Sequence, residues 1–462
     1  MKKRMFLILL SLIVLVLLGF LLWKTLAVPV NNAPQQSVTG LVTDVTMDTL
    51  TLQTDTGVTY AFSIADAARN GLNGTLSGDT FTVLYQGNAD GGTYTALSYE
   101  KKADGVRVPH GDLPESIPAV WLDGGIFEDF YPEAYKMLRT MTLEQKAGQL
   151  LLVRFPDKRA MDAIHIGQPA GFVLFGGDFD RKTEEKVIEM LSAAQKISAI
   201  PLLFATDEEG GSIVRVSRNR RLADRPFLSP QALFAQGGLE AVKKDAADKS
   251  ALLKNLGVNI NLAPVADVSI DRKDYIYDRT LGQPAAPTGN YAAAVVTATQ
   301  NAGLSATLKH FPGYGNNRDT HTGIAHDDRP YETFVSSDFL PFSAGIEAGA
   351  HSVLVSHNIV TCMDPAFPAS LSPAVHRILR ETLGFTGVIM TDDLAMDAIQ
   401  DFTKGVHPAV QALLAGNDLI LLTDWEEGLR SLIAATQAGT IPEETLNRAV
   451  FRVLAWKYAK GL

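Results

Sequence analysis

Eight short apolar runs, separated by longer amphipathic stretches, constrain the fold of this 462-residue chain more than any other feature. The stretches between them, such as residues 183–198 and 233–256, have the length and the polar faces of helices. Strands that alternate with helices form parallel sheets, so we expect an α/β fold with a TIM-type (β/α)8 barrel over residues 119–462. A doubly wound open sheet is the alternative, but no Gly-x-Gly-x-x-Gly sequence follows the first run. The runs are residues 150–155, 171–175, 201–206, 258–268, 305–310, 352–356, 387–391 and 418–423.

The N-terminal segment has the pattern of a membrane anchor. Three basic residues at positions 2–4 precede an unbroken apolar run over residues 5–23. As a helix this run rises about 28 Å, close to the thickness of the hydrocarbon core of a bilayer. Because the basic flank stays in the cytoplasm, we expect residues 1–24 to be a single-pass transmembrane helix in the cell membrane, with the remainder extracytoplasmic. A cleaved signal peptide, which would leave a secreted protein, is the alternative.

Two linkers and a small β-rich module are expected between the anchor and the barrel. Residues 25–37 are rich in Pro, Asn and Gln and indicate a linker. Residues 38–100 show repeated period-two alternation with Gly and Asp turns, which predicts a small all-β module of antiparallel strands. Residues 101–118 form a second linker that contains Pro and Gly. The role of the β-rich module is open: it could be a spacer, a wall-binding module or a packing partner for the barrel.

Composition excludes several function classes. The formal net charge of −10 argues against a nucleic-acid partner, because phosphate binding needs clustered Lys and Arg. The single cysteine, Cys362, excludes an intramolecular disulfide and a Cys-cluster metal site. The chain contains no His-Glu-x-x-His sequence, so we expect neither a metal nor another cofactor. The sequence does not determine the oligomeric state.

Ionisable residues follow five of the eight apolar runs, at the points where the predicted strands should end. Because the carboxyl ends of barrel strands meet on one face, these residues are expected to form an active site there. A single Asp after a strand is usually a helix N-cap, and Asp267 and Asp393 have that alternative interpretation. The segments are Asp-Glu-Glu-Gly-Gly at 207–211, Asp267 with Asp278-Arg279 beyond it, Lys309-His310-Phe311-Pro312-Gly313, Ser356-His357 and Thr391-Asp392-Asp393.

A glycine-rich segment at residues 309–321 extends from the fifth run. Its glycines permit close backbone approach and hinge-like freedom. Asp319 and His321 are two residues apart, so in a bent loop the carboxylate can hold one ring nitrogen and favour the protonated imidazole. A phosphate-binding loop is disfavoured, since the Gly-x-x-x-x-Gly-Lys-Ser/Thr pattern is absent, and a surface His without a role is the simpler alternative.

This segment resembles the signature of glycoside hydrolase family 3 in its β-N-acetylglucosaminidase branch, Lys-His-Phe-Pro-Gly-His-Gly-Asp followed by Asp-Ser-His. The resemblance covers essentially the whole of residues 119–462. Tyr314 and Asn316 replace the usual His and Asp, and Ser212 stands where Arg often follows the Gly pair, with Arg215 as a possible substitute. These departures bear on aglycone preference more than on the reaction. Further similar motifs lie at residues 146–149, 207–211, 261–265 and 391–396.

The resemblance implies a retaining β-N-acetylhexosaminidase that removes terminal, non-reducing β-linked N-acetylglucosamine. Asp392 matches the nucleophile, His321 the acid/base and Asp319 its dyad partner. An anchored exterior enzyme of this kind suggests peptidoglycan fragments or related cell-wall glycans as substrates. The positions that match the sugar-binding residues of the family are Asp207, Arg279, Lys309 and His310.

Other activities remain open from the sequence. A phosphorylase on the same barrel is possible, because an imidazole acid/base does not repel phosphate as a carboxylate would. A β-glucosidase activity is less consistent with this sequence. Related glucosidases take a Glu acid/base from a later domain, for which we expect no room in this chain. A wall-binding protein that retains an inactive barrel is the third alternative.

Overall fold

The computed structural model describes residues 35–45, 49–64, 67–70, 79–86, 94–103, 113–155, 162–317, 325–395, 399, 402 and 406–462. These residues form two compact units, a small one that contains the first six strands and a large one that contains all later elements. The segment predicted to span the membrane, residues 1–24, lies outside the described residues. No helix within the described ranges is both long and apolar enough to cross a bilayer.

The small unit is a six-stranded sheet in the order β3-β2-β1-β5-β6-β4, with an additional β3–β6 pairing that closes five of the strands into a ring. Alternate residues of its strands are buried, Leu50 and Leu52 on β2 and Phe81 and Val83 on β5 among them, as period-two patterning predicts. The strands are β1 Gln35–Val45, β2 Thr49–Gln53, β3 Thr59–Ser63, β4 Ala68–Asn70, β5 Thr80–Gln86 and β6 Tyr94–Ala103.

Three details of the predicted module and its linkers are wrong. The strands are not all antiparallel, because β6 pairs in parallel with both β3 and β4. Strand β1 begins inside the predicted linker 25–37, since residues 35–37 pair with residues 84–86 of β5. Likewise β6 continues to Ala103, inside the predicted linker 101–118. Residues 35–37 are exposed polar residues, so their sequence carries no hydrophobic signal that would separate a strand from a linker.

The large unit is built on an eight-stranded sheet whose neighbours all pair in parallel, in the order β15-β13-β11-β10-β9-β8-β7-β16. The first and last strands of this order, β15 and β16, also contact each other. An isolated parallel bridge joins Met390 to Leu419, and the Leu421 amide donates to Thr391 Oγ1 at 3.0 Å. The sheet therefore closes into a barrel. Its strands are β7 Leu151–Arg154, β8 Gly171–Leu174, β9 Leu203–Thr206, β10 Ile260–Asn261, β11 Ser305–Phe311, β13 Ser352–Val355, β15 Val388–Thr391 and β16 Ile420–Leu422.

Helices follow the barrel strands, and a two-stranded ribbon of β12 His326–Asp327 and β14 Ile359–Val360 lies outside the barrel sheet. The longest helix, α5, bends at Gly237 and Gly238, whose backbone angles are not helical. The helices are α1 Tyr131–Leu138, α2 Leu143–Gly148, α3 Gly176–Phe179, α4 Glu184–Ile197, α5 Pro230–Asn255, α6 Ala285–Asn301, α7 Tyr331–Thr333, α8 Phe339–Glu347, α9 Pro373–Arg377, α10 Pro408–Ala415, α11 Trp425–Gln437 and α12 Glu443–Ala459.

Each of the eight apolar runs coincides with a barrel strand, with β11 ending one residue beyond its run, and every residue of β8, β9, β11, β13, β15 and β16 is buried. Continuous burial is expected of parallel strands covered on both faces. The run 258–268 gives only the two-residue strand β10, and beyond Pro264, which has no N–H to donate, pairing with β11 resumes as an isolated bridge between Val265 and Lys309. The predicted helices 183–198 and 233–256 correspond to α4 and to most of α5.

Phe172 on β8 offers a test of the core. Its ring lies 5.4 Å from that of Phe155 and 6.4 Å from that of Phe204, measured between centroids, and its side chain is fully buried. We expect Phe172→Ala to lower the free energy of unfolding by about 3–5 kcal/mol, because it leaves a cavity in a packed interior. Chemical denaturation followed by tryptophan fluorescence measures this change. Val120→Ala, at a position 67% exposed, is the control, and equal destabilisation by both variants would contradict the assignment.

Candidate active site

Five of the predicted site residues line one cavity of about 410 Å³ at the carboxyl ends of the barrel strands, here called the rim cavity. They come from four different strands or from the loops that follow them, so the barrel brings together residues up to 185 positions apart (392 − 207). Arg154, Phe175, Glu209, Arg215 and Tyr275 also line this cavity. The five predicted residues are Asp207, Arg279, Lys309, His310 and Asp392.

The Lys309 ammonium lies at the centre of the charged network. Its Nζ is 2.7 Å from Asp207 Oδ1 and 2.6 Å from Glu209 Oε1, and only 3% of the side chain is exposed. Burial alone would lower the pKa of Lys309, but the two carboxylates outweigh it and raise that pKa above its ordinary value. Burial would likewise raise the pKa of Glu209, and Lys309 and Arg279 reverse this effect and hold it low. Both groups are therefore charged at neutral pH.

Arg279 extends the network from Glu209 to His310. Its Nε and Nη2 donate to the two carboxylate oxygens of Glu209 at 3.0 and 2.7 Å, and Nη2 lies 3.1 Å from His310 Nε2. On the other side of the ring, His310 Nδ1 lies 2.8 Å from Asp267 Oδ2. These partners assign the proton to Nδ1, so that Nε2 accepts from Arg279 and the ring is neutral.

Asp267 is not a helix cap, although a cap was one interpretation of its position. Besides the His310 ring, its carboxylate accepts from the backbone amides of His310 at 3.0 Å and Tyr314 at 2.7 Å. It therefore fixes the first turn of the glycine-rich segment together with the imidazole. Asp393 does make a local contact of the capping type, since its Oδ1 accepts from the Ala395 amide at 3.0 Å.

Asp392 follows β15 directly and presents a partly exposed carboxylate to the rim cavity. The backbone amide of Asp393 donates to its Oδ1 at 2.9 Å. Burial alone would raise the pKa of Asp392, but the nearby ring of His357, the Asp393 amide and Lys309 outweigh it and lower that pKa below its ordinary value. This side chain is therefore an ionised carboxylate held in a partly desolvated pocket, as a nucleophile requires.

The loop after β9 turns back on itself and points Arg215 at Asp207. Glu208, which is buried, accepts from the backbone amides of Arg215 at 2.9 Å and Val216 at 2.7 Å. Arg215 Nη2 consequently lies 3.6 Å from Asp207 Oδ2, and its guanidinium lies 5.6 Å from the centroid of Phe175. The possible substitution of Arg215 for an Arg at position 212 therefore has a geometric basis.

A second ion cluster holds the base of the glycine-rich segment. Arg329 donates through Nε and Nη2 to Asp327 at 2.9 and 2.7 Å, through Nη1 to Asp338 at 3.0 Å, and through Nη2 to the Gly313 carbonyl at 3.3 Å. Asp327 also accepts from Asn317 Nδ2 at 2.9 Å. The cluster thus ties residues 313 and 317, on one side of the undescribed residues 318–324, to Asp327 on the other.

The two glycines nearest this cluster allow the backbone to lie close to the charged side chains of the cluster. Gly313 and Gly315 have φ angles of +126° and +55°, in the region that favours glycine. A Cβ at Gly313 would collide with the Asp338 carboxylate, and one at Gly315 would collide with the Arg329 guanidinium. The predicted close backbone approach is therefore confirmed at residues 313 and 315. Asp319 and His321, the predicted dyad, lie outside the described residues.

Glu209, Asp267 and His357 were expected at the rim because they follow predicted strands, but no role or partner was predicted for them. Glu209 lies two residues after Asp207, and its place inside the Asp-Glu-Glu-Gly-Gly motif was an available signal. Asp267 could have been linked to His310 only through the pairing of β10 with β11. His357 is fully buried, with Nδ1 2.7 Å from Ser370 Oγ and Nε2 3.0 Å from the Asp393 carbonyl, and no sequence signal connects it to Asp392.

Comparison with known families and proteins shows which family the chain belongs to. Residues 142–456 match the model of the glycosyl hydrolase family 3 N-terminal domain, and the chain belongs to this family. It is therefore a glycoside hydrolase. A β-hexosaminidase from Xanthomonas campestris pv. campestris (strain B100) is 34% identical over 326 residues, which cover 70% of this chain and 94% of that protein. The predicted family membership is confirmed.

Solved structures of the family resemble the chain as well. A family 3 β-N-acetylglucosaminidase from Paenibacillus sp. str. FPU-7 aligns with a TM-score of 0.64 and 31% identity over 70% of this chain, which spans 63% of that protein, less than two-thirds. A β-N-acetylhexosaminidase from Beutenbergia cavernae DSM 12333 aligns with a TM-score of 0.61 and 28% identity over 70% of this chain and 99% of that protein.

The contact between His357 and the Asp392–Asp393 turn predicts a change in pH dependence. His357 lowers the pKa of Asp392, so His357→Gln is expected to raise it. A carboxylate with a higher pKa is protonated at higher pH, so the acid limb of kcat/KM should move to higher pH. The pH profile of aryl glycoside hydrolysis measures this shift. His407→Gln, which alters a His at the start of α10, is the control, and an unmoved acid limb in His357→Gln would contradict the prediction.

Proposed function

We propose that this protein is a retaining β-N-acetylhexosaminidase that removes terminal, non-reducing β-linked N-acetylglucosamine. The observation that carries the proposal is the convergence of the Asp392 carboxylate with the Asp207, Lys309 and Arg279 network in the rim cavity. The β-hexosaminidase and β-N-acetylglucosaminidase relatives support the same activity, because their similarity covers the barrel that builds this cavity.

The hydrogen-bonding capacity of the network suits a sugar ligand. An ammonium has three N–H donors, and Lys309 uses two on Asp207 and Glu209, which leaves one for a sugar oxygen. Arg279 uses Nε and Nη2, which leaves the two N–H groups of Nη1 without a protein acceptor among the described residues. Since both ring nitrogens of His310 are already bonded, its contribution is to hold Arg279 in place.

In the proposed reaction Asp392 attacks the anomeric carbon and forms a covalent glycosyl-enzyme ester while the bond to the leaving oxygen breaks. His321, held by Asp319, gives its proton to the leaving oxygen and then takes one from the incoming water. Two displacements at the same carbon leave its configuration unchanged. The roles of Asp319 and His321 rest on the sequence resemblance.

We also propose that the enzyme acts outside the cell, tethered through residues 1–24, on peptidoglycan fragments or related cell-wall glycans. The basic residues 2–4 and the apolar run 5–23 support the anchor, and an exterior position gives access to wall glycans. No metal or other cofactor enters the proposed reaction.

Variants of the two proposed catalytic residues test the reaction. Asp392→Ala and His321→Ala are each expected to reduce nitrophenol release from the β-N-acetylglucosaminide by about 10²-fold or more, since each removes a group that acts in the transition state. A matched control is Asp129→Ala, an exposed carboxylate just before α1 and outside the predicted site. Wild-type turnover in either catalytic variant would show that the residue has no such role.

The products distinguish this activity from its alternatives. NMR of the first-formed sugar should show the β-anomer, because the proposed reaction retains configuration. Free N-acetylglucosamine should form at the same rate with and without phosphate. A phosphate-dependent sugar 1-phosphate would instead indicate a phosphorylase, and glycan binding without turnover would indicate a wall-binding protein.

Removal of residues 1–24 tests the anchor. We expect the full chain in the membrane fraction, resistant to carbonate extraction, and the shortened chain in the soluble fraction with unchanged kcat on the aryl glycoside. An apolar run of bilayer length holds a helix in the membrane far more firmly than surface contacts do. Full-length protein that carbonate releases, or a mature N-terminus beyond residue 24, would contradict the proposed anchor.

A further inference from the structure

The loop between β10 and α6, residues 262–284, brings an exposed aromatic ring to the rim cavity. Tyr275 lines this cavity, and 44% of the residue is exposed. Within the part of the chain that the structure describes, it is the most exposed of the Phe, Tyr and Trp residues. Aromatic side chains are large contact surfaces, and pockets for small ligands are lined by them. The position of this ring at the cavity therefore indicates a contact with the ligand.

The loop holds Tyr275 in a defined place. The next residue, Ile276, is fully buried in a cluster that contains Tyr314. The preceding residue, Asp274, accepts a hydrogen bond from Ser269 Oγ at 2.7 Å. Because both neighbours of Tyr275 are fixed, its ring faces the cavity before any ligand binds. A contact surface that is already ordered costs little conformational entropy when it is covered.

Tyr275 is the outermost of three rings that lead away from the charged network. The Tyr314 ring, which is buried, lies 5.9 Å from the Tyr275 ring and 5.7 Å from the His310 ring, measured between centroids. The backbone of Tyr314 is held in turn by the Asp267 carboxylate. Tyr314 is also the residue that replaces the usual His of the family signature. This departure supplies an aromatic support for Tyr275.

The side of the cavity on which Tyr275 lies follows from the proposed function, on which this inference rests. An enzyme that removes a terminal N-acetylglucosamine holds that sugar beside Asp392, so the rest of the glycan is the leaving group. Attack by Asp392 and departure of the leaving oxygen occur on opposite faces of the anomeric carbon. The segment that begins with His310 and Tyr314 is the one that carries the proposed proton donor, His321. Tyr275 packs against the start of this segment and therefore lies towards the leaving group.

We propose that Tyr275 is a stacking platform for the leaving-group sugar and that the enzyme selects oligosaccharides over glycosides of small alcohols. A β-linked glucosamine ring presents axial C–H groups on its faces. These groups carry slight positive charge and pack against the face of an aromatic ring, which is negative. The contact needs the ring of Tyr275 and not its hydroxyl group. Tyr275 thus determines specificity without taking part in bond cleavage.

The proposal is tested on full-length protein in detergent with two substrates that differ only in the leaving group. They are β-1,4-linked di-N-acetylglucosamine and N-acetylglucosaminyl azide, whose leaving group is too small to cover the ring. For Tyr275→Ala we expect kcat/KM to fall about five- to tenfold with the disaccharide, mainly through a higher KM, and to stay within about twofold with the azide. Tyr275→Phe should keep wild-type values with both substrates, because it retains the ring.

Ile270→Ala is the matched control, since Ile270 is an exposed apolar residue of the same loop that does not line the rim cavity. It should leave both substrates unchanged, and circular dichroism and thermal unfolding establish that each variant is folded. Equal losses with both substrates in Tyr275→Ala would overturn the proposal, because the ring would then act on the terminal sugar or on the cavity itself. Unchanged kinetics with the disaccharide would overturn it as well. A wild type that hydrolyses neither substrate would instead refute the proposed function, and this inference with it.

Discussion

The buried ammonium of Lys309 is the interaction on which the rest of the rim cavity depends. Desolvation of an ion costs several kcal/mol, and here two carboxylates at 2.6 and 2.7 Å compensate for it. Glu209 is shared with Arg279, Arg279 contacts His310, and His310 is held by Asp267. Each charge in this chain of contacts is compensated by its neighbour, so removal of one member would leave another buried without its partner.

The barrel explains why that network lies where it does. Its strands are buried over almost their whole length and carry mostly apolar residues, so charged side chains are confined to the points where strands end. Pairing in parallel brings those ends to one rim. The Asp327–Arg329–Asp338 cluster then fixes the glycine-rich segment beside the same rim, and Gly313 and Gly315 allow the cluster to approach the backbone.

Much of this architecture could be predicted from the sequence. The eight apolar runs located all eight barrel strands, because buried parallel strands leave a hydrophobic signal that needs no knowledge of their partners. Strand ends were less well predicted, as β10 shows, since Pro264 interrupts pairing inside an otherwise continuous apolar run. The limits of the small unit were also misplaced at residues 35–37, where β1 is exposed and polar.

The sequence by itself determined which residues stand at strand ends, and it therefore determined the candidates Asp207, Lys309, His310 and Asp392. Only the tertiary structure decided their partners: Glu209 between two cations, Asp267 on the imidazole, and His357 behind Asp392. The physical reason is distance along the chain. Hydrophobic periodicity is a local property of the sequence, whereas the ion pairs of the rim join residues tens to a hundred positions apart, from 43 for His310 and Asp267 to 102 for Lys309 and Asp207. Only the pairing of β9, β10 and β11 in one sheet brings these residues into contact.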